Sequence, residues 1–125
     1  MKFVLGKSSS IWWPVSIQRP DPENPGQTVK SKLQALLVPQ PQDAFLAAQE
    51  EISRVRGLRA QATAEREYLS TRIEGWEWPD ATDDEGRPVG MTPATLALAL
   101  QEGWFRKGLW RALNEIGLGE PAEGN

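Results

Sequence analysis

Apolar and polar residues alternate with period two in two stretches near the start of the chain. Trp13, Val15 and Ile17 alternate with Pro14, Ser16 and Gln18, the pattern of a strand with one buried face. Pro14 cannot donate to a ladder, so this strand is expected at a sheet edge or beginning there. In the second stretch Val29, Ser31, Leu33, Ala35 and Leu37 share one face, while Lys30, Lys32 and Gln34 point to solvent. Leu36 and Val38 break the alternation, which predicts cover on both sides at that end. Residues 19–27 between the stretches hold three prolines and a Pro-Gly pair and read as a hairpin tip. With the apolar run Phe3-Val4-Leu5, residues 1–39 are expected to form an antiparallel meander of two or three strands. A hairpin alone is marginal, so it must pack on something.

The period then changes. Residues 42–74 contain no proline and one glycine, Gly57. Phe45, Ala48, Ile52 and Val55 make a narrow helical stripe. Ala62, Leu69 and Ile73, with Tyr68 on the flank, make a second. Two helices with a break near Gly57 are predicted, with one long helix as the alternative. Residues 75–91 read as a Gly-Trp segment leading into an acidic turn. Residues 92–117 carry two more helices: Thr92 and Pro93 cap the first, Gly103 separates them, and Gly117 stops the last. Residues 119–125 are expected to be a frayed tail. The predicted fold class is α+β, a small antiparallel N-terminal sheet packed on three to four helices, with one domain over residues 1–118.

Composition narrows the chemistry. The chain has 125 residues, the size of a single domain. It has no cysteine, excluding disulfides, thiol nucleophiles and Cys-zinc sites, and no histidine, the usual general base. The net charge of −3 disfavours a dedicated nucleic-acid binder. No apolar run approaches a membrane span, and Phe3–Leu5 is too short for a signal peptide. A soluble, cytoplasmic, non-enzymatic protein without metal or cofactor is expected, with neither nucleic acid nor membrane as a partner; self-association is left open.

Four constellations deserve weighing. The acidic turn Asp80, Asp83, Asp84, Glu85 fails as an EF-hand loop: with Gly86 at its sixth position, Ala81 and Thr92 fall where acidic ligands belong. Glu74 and Glu77 lie beside tryptophans and make the best carboxylate pair for hydrolysis, although Glu77 reads more simply as an outward residue between inward tryptophans. Lys30 and Lys32, with Arg54, Arg56, Arg59 and the rings of Trp12 and Trp13, suggest a basic aromatic patch. The same lysines protect an edge strand equally well. Finally, six tryptophans exceed what so small a core readily hides. Trp104 and Trp110 lie about 120° apart around a helix. Either that helix is wrapped on two sides, or one ring faces outward as a contact residue.

The run Ile73-Glu74-Gly75-Trp76, then Asp83-Asp84-Glu85-Gly86-Arg87-Pro88-Val89, then Thr92-Pro93 and Leu96 resembles the tail assembly chaperones of long-tailed bacteriophages and prophages. The likeness covers residues 70–113 best. The Trp76-Glu77-Trp78-Pro79 doublet departs from the family pattern. The resemblance implies a cytoplasmic assembly factor that binds the tape measure protein, keeps it soluble and helps recruit tail tube protein. Apolar grooves rimmed with charge suit that task. Trp76, Trp78, Trp104, Phe105 and Trp110 are the expected partner-binding residues, with Trp76 also pinning the turn. Trp110→Ala is expected to weaken capture and spare the melt. The alternatives are a structural virion protein, such as a head–tail or tail completion factor, and a small carboxylate-dependent hydrolase.

Overall fold

A computed structural model describes residues 2–123. The element order is β1 (Ile11–Pro20), β2 (Thr28–Leu37), α1 (Gln42–Arg54), α2 (Leu58–Ser70), β3 (Ile73–Glu77), α3 (Pro93–Leu100) and α4 (Gly103–Leu118). The fold is α+β: one antiparallel sheet in the order β1-β2-β3, with four helices.

The period-two stretches form the β1–β2 hairpin, with Val15 opposite Leu33 and Trp13 opposite Ala35. Val15, Ile17, Leu33, Ala35 and Leu37 are buried on the inner face, while Lys30, Lys32 and Gln34 are exposed on the outer one. β1 lies at the sheet edge, where its proline leaves no interior ladder bond unmade. The outer face is not wholly polar. Trp12 stands opposite Leu36, and its ring reaches to 3.9 Å from where a Cβ on Gly75 would lie. This is the second cover that Leu36 requires.

The third strand differs from expectation. Phe3–Leu5 belong to no strand and are exposed. β3 comes instead after the helical pair and includes Ile73, which the periodicity had assigned to α2. Its register on β2 shifts between Leu36 and Leu37, with Leu36 opposite Gly75 and Leu37 opposite Ile73. Glu74 is therefore a bulge residue. The bulge lets Ile73 and Trp76 both face inward although they are three apart.

The helices follow the glycines. α1 and α2 break at Gly57, whose φ of 96° is a conformation that suits glycine. A Thr92–Thr95 capping box with Pro93 at the first position starts α3. α4 runs past Gly117 and ends at Gly119, left-handed at φ 68°. This corrects the expected stop by two residues and fits an αL cap. Against the sheet α4 contributes Phe105, Leu109, Ala112 and Leu113. Among the described residues no helix is long and apolar enough to cross a membrane.

The tail is also corrected over its described part. Ala122 is buried, and Glu123 bonds to β1 and α4. Gly124 and Asn125 lie outside the described residues.

Candidate functional site

The aromatic residues expected to meet a partner form two clusters, one on each flank of α4. In the first, Trp78 stacks on Phe105 at 5.3 Å and meets Trp76 edge-on at 5.3 Å. Trp104 closes the group edge-on to Trp78 at 6.3 Å. Trp76 is buried and donates its indole N–H to the Val89 carbonyl at 3.0 Å, tying β3 to the far end of the acidic loop. Phe105 has no exposed surface, so in this fold it is a core residue rather than a contact. The Trp78 indole nitrogen is shut off from solvent and has no hydrogen-bond partner among the described residues. In the second cluster Trp110 stacks on Tyr68 at 5.5 Å and lies 5.9 Å from Phe45. Burial pushes the Tyr68 phenol up, and its hydroxyl donates to Gln40 Oε1. Thus α4 is wrapped on two sides. The five residues do not share one surface, and Trp110→Ala removes packing.

The concave surface lies elsewhere. A groove of about 780 Å3 runs between α2, β3 and α3, within the range typical of binding sites. Its apolar lining comes from Ile73, Met91, Pro93, Leu96, Ala97 and Leu100. Arg66 and Glu67 on α2, Glu74 on β3 and Gln101 after α3 supply polar groups. Arg106 braces the walls, its Nε donating to Glu65 Oε1 at 2.8 Å and its Nη1 to the Leu100 carbonyl at 2.7 Å, so one guanidinium joins α2, α3 and α4. None of the five expected contact residues lines this groove. A sequence signal for it did exist. The α3 segment from Pro93 to Leu100 carries no charge, which suggests burial on all sides. Instead Ala97 faces the groove and Leu98 is 70% exposed.

The candidate carboxylates are dispersed. Glu74 shares the groove with Glu67 but accepts the Ser10 hydroxyl. Glu77 is opposite Gln34, on the outer side of the sheet, and exposed. Neither Glu67 nor Glu74 is buried, whereas the acid of a hydrolytic pair relies on burial to keep its proton. In the acidic loop Asp83 is saturated internally. Its Oδ1 accepts the backbone N–H of Glu85 and Arg87 at 2.9 and 3.0 Å, and its Oδ2 accepts Arg87 Nε at 2.9 Å. These bonds, the Arg87 backbone N–H foremost, hold its carboxyl below the usual value. Among the described residues no three acidic groups gather as a metal site. Of the candidate basic patch, Arg54 pairs with Glu50 at 3.2 Å, and Trp13 turns its N–H to Glu115 Oε1 at 2.9 Å.

Comparison with protein-family models, curated proteins and solved structures gave no match.

Proposed function

We propose that this chain is a tail assembly chaperone of the long-tailed phage and prophage type. It acts without catalysis in the bacterial host cytoplasm, binding the tape measure protein and aiding tail tube assembly. The observation that carries this reading is the open apolar groove between α2, β3 and α3. It is lined by residues of the very segment that resembles the family: Ile73, Pro93 and Leu96, with Met91 between them. An apolar floor beneath mixed charge suits the apolar stripe of a long helical client. Trp76, Trp78, Trp104 and Phe105 act behind this surface by fixing β3 and the loop that delivers Met91.

The test is co-expression with the tape measure protein of the same phage or prophage. The wild-type chain should keep that client soluble, co-purify with it, and be missing from mature particles. Ala97→Glu places a carboxylate in the groove at an exposed position. It should leave the client insoluble while the melt stays within a few degrees. Client solubility unchanged by Ala97→Glu would remove the groove from the proposal. Incorporation into mature particles would favour a structural virion protein.

A further inference from the structure

We propose that two copies of this chain associate by exchanging the segment ahead of β1, with the Phe3-Val4-Leu5 run of each copy docked in the α2–β3–α3 groove of the other. The groove is the one the chaperone reading uses, but the association needs no client and rests on that reading only for the competition described below.

Phe3, Val4 and Leu5 are 82%, 66% and 87% exposed. Apolar side chains scattered singly over a surface are ordinary, but three in succession mark a contact site. The backbone presents them outward. The Lys7 N–H bonds to the Val4 carbonyl at 3.3 Å, closing a turn with Gly6 at its third position and a φ of 84°. A type II turn calls for glycine at that position. Leu5 stands at the tip of the turn.

Three observations commit the run to this groove. The Ser10 hydroxyl donates to Glu74, which lines the groove, so the segment springs from the groove's own rim. The charges are complementary: Lys2 and Lys7 flank the apolar run, whereas Glu67 and Glu74 flank the apolar floor with Arg66 as the one cation against them. Finally, no residue from 2 to 10 lines the groove of its own chain. The turn from Val4 to Lys7 projects the run away from the rim instead of laying it on the floor beside it.

A two-fold axis satisfies run and groove together. Both meet at one rim, so an axis passing beside Ser10 and Glu74 brings the run of each copy over the floor of the other. The five residue steps from Ser10 to Leu5 span at most about 18 Å when extended, which keeps the exchange local to that rim. Such an isologous pair is closed and stops at two copies. Under the chaperone reading, the run and the client compete for one floor, and the pair covers the groove until a client arrives.

Sedimentation velocity on the full chain should show a monomer–dimer equilibrium with a dissociation constant on the order of micromolar. Leu5→Asp and Ala97→Glu should each weaken it about tenfold or more. Both positions are exposed in the single chain, so the melt of dilute protein should not move. The chain has no cysteine. An equimolar mixture of Leu5→Cys and Ala97→Cys chains should therefore give mainly the mixed disulfide on mild oxidation, which needs the two Cα atoms within about 7 Å. A monomer at every concentration, or a dimer indifferent to Leu5→Asp, overturns the exchange. A Leu5→Cys/Ala97→Cys chain that closes on itself at high dilution overturns it in favour of docking within one chain, and assemblies that grow beyond two overturn the two-fold. Leu5→Asp should keep the client as soluble as the wild type does. An exchange that fails while client capture persists leaves the chaperone reading standing, and a dimer without client capture does the opposite.

Discussion

At Gly108 the last helix and the first strand come closest. A Cβ there would lie 2.9 Å from the Ser16 carbonyl oxygen, 3.0 Å from Ile17 Cγ2 and 3.2 Å from Val15 Cγ1. The first neighbour is backbone and cannot swing away. Gly108→Ala gains helix propensity worth up to about 1 kcal/mol, but overpacking costs about 1–3 kcal/mol. The net expectation is a lower urea midpoint at unchanged slope. Gly117 sits in the same helix with open space around it, so Gly117→Ala should stabilise the fold by about 0.5–1 kcal/mol and raise the midpoint. If both variants move the same way, the close approach is not what sets the sign. Neither role was legible in the sequence, because a glycine's neighbours come from a strand some ninety positions away. Glu115 is similar. It reads as a surface acid, yet it is buried and accepts the Trp13 indole and the Glu123 amide.

Among elements, legibility followed periodicity. β1 and β2 were readable because each buries alternate residues over a long stretch, and the α1–α2 break because Gly57 marks it. β3 was not, since five residues with a bulge and a glycine leave no alternation to see. The aromatic clusters were half legible. The offset of about 120° between Trp104 and Trp110 left two readings open, a helix wrapped on two sides or an outward ring, and the structure has the first; the wholly interior Phe105 was not foreseen. Because Trp110 packs on Tyr68 and Phe45, Trp110→Ala should destabilise the fold by about 2 kcal/mol, less than the 3–5 of a fully buried ring. A thermal melt that does not shift would return Trp110 to the list of contacts. The loop from Asp83 to Arg87 makes a pH prediction. The Asp83 carboxyl is held below 3.8, chiefly by the Arg87 backbone N–H. A depressed folded value stabilises the loop above the unfolded carboxylate value, and this contribution is lost as pH falls through the folded one. The Arg87 amide resonance should therefore titrate with a midpoint below 3.8, and Asp83→Asn should abolish that step.

At the scale of the molecule, α4 serves as a post with different work on its two sides. Toward α2 and α3 its Arg106 braces the groove; toward the hairpin its Arg111 and Glu115 hold the tail. The groove and the docked tail share no contact residue. The core between them, made by Phe105, Leu109, Ala112 and Leu113, is tightly buried, and such interiors deform little. Effects at sites without shared partners add. Ala97→Glu should therefore abolish client solubilisation without changing hydrogen exchange at the Glu123 amide, and Arg111→Gln, which removes the ion pair to Glu123, should cost that amide protection without touching client solubility. The double variant should show each loss at its single-variant size. A double variant that departs from additivity by more than about 0.5 kcal/mol in Glu123 amide protection would mean that α4 transmits between its sides. Client capture and tail release would then be one event rather than two.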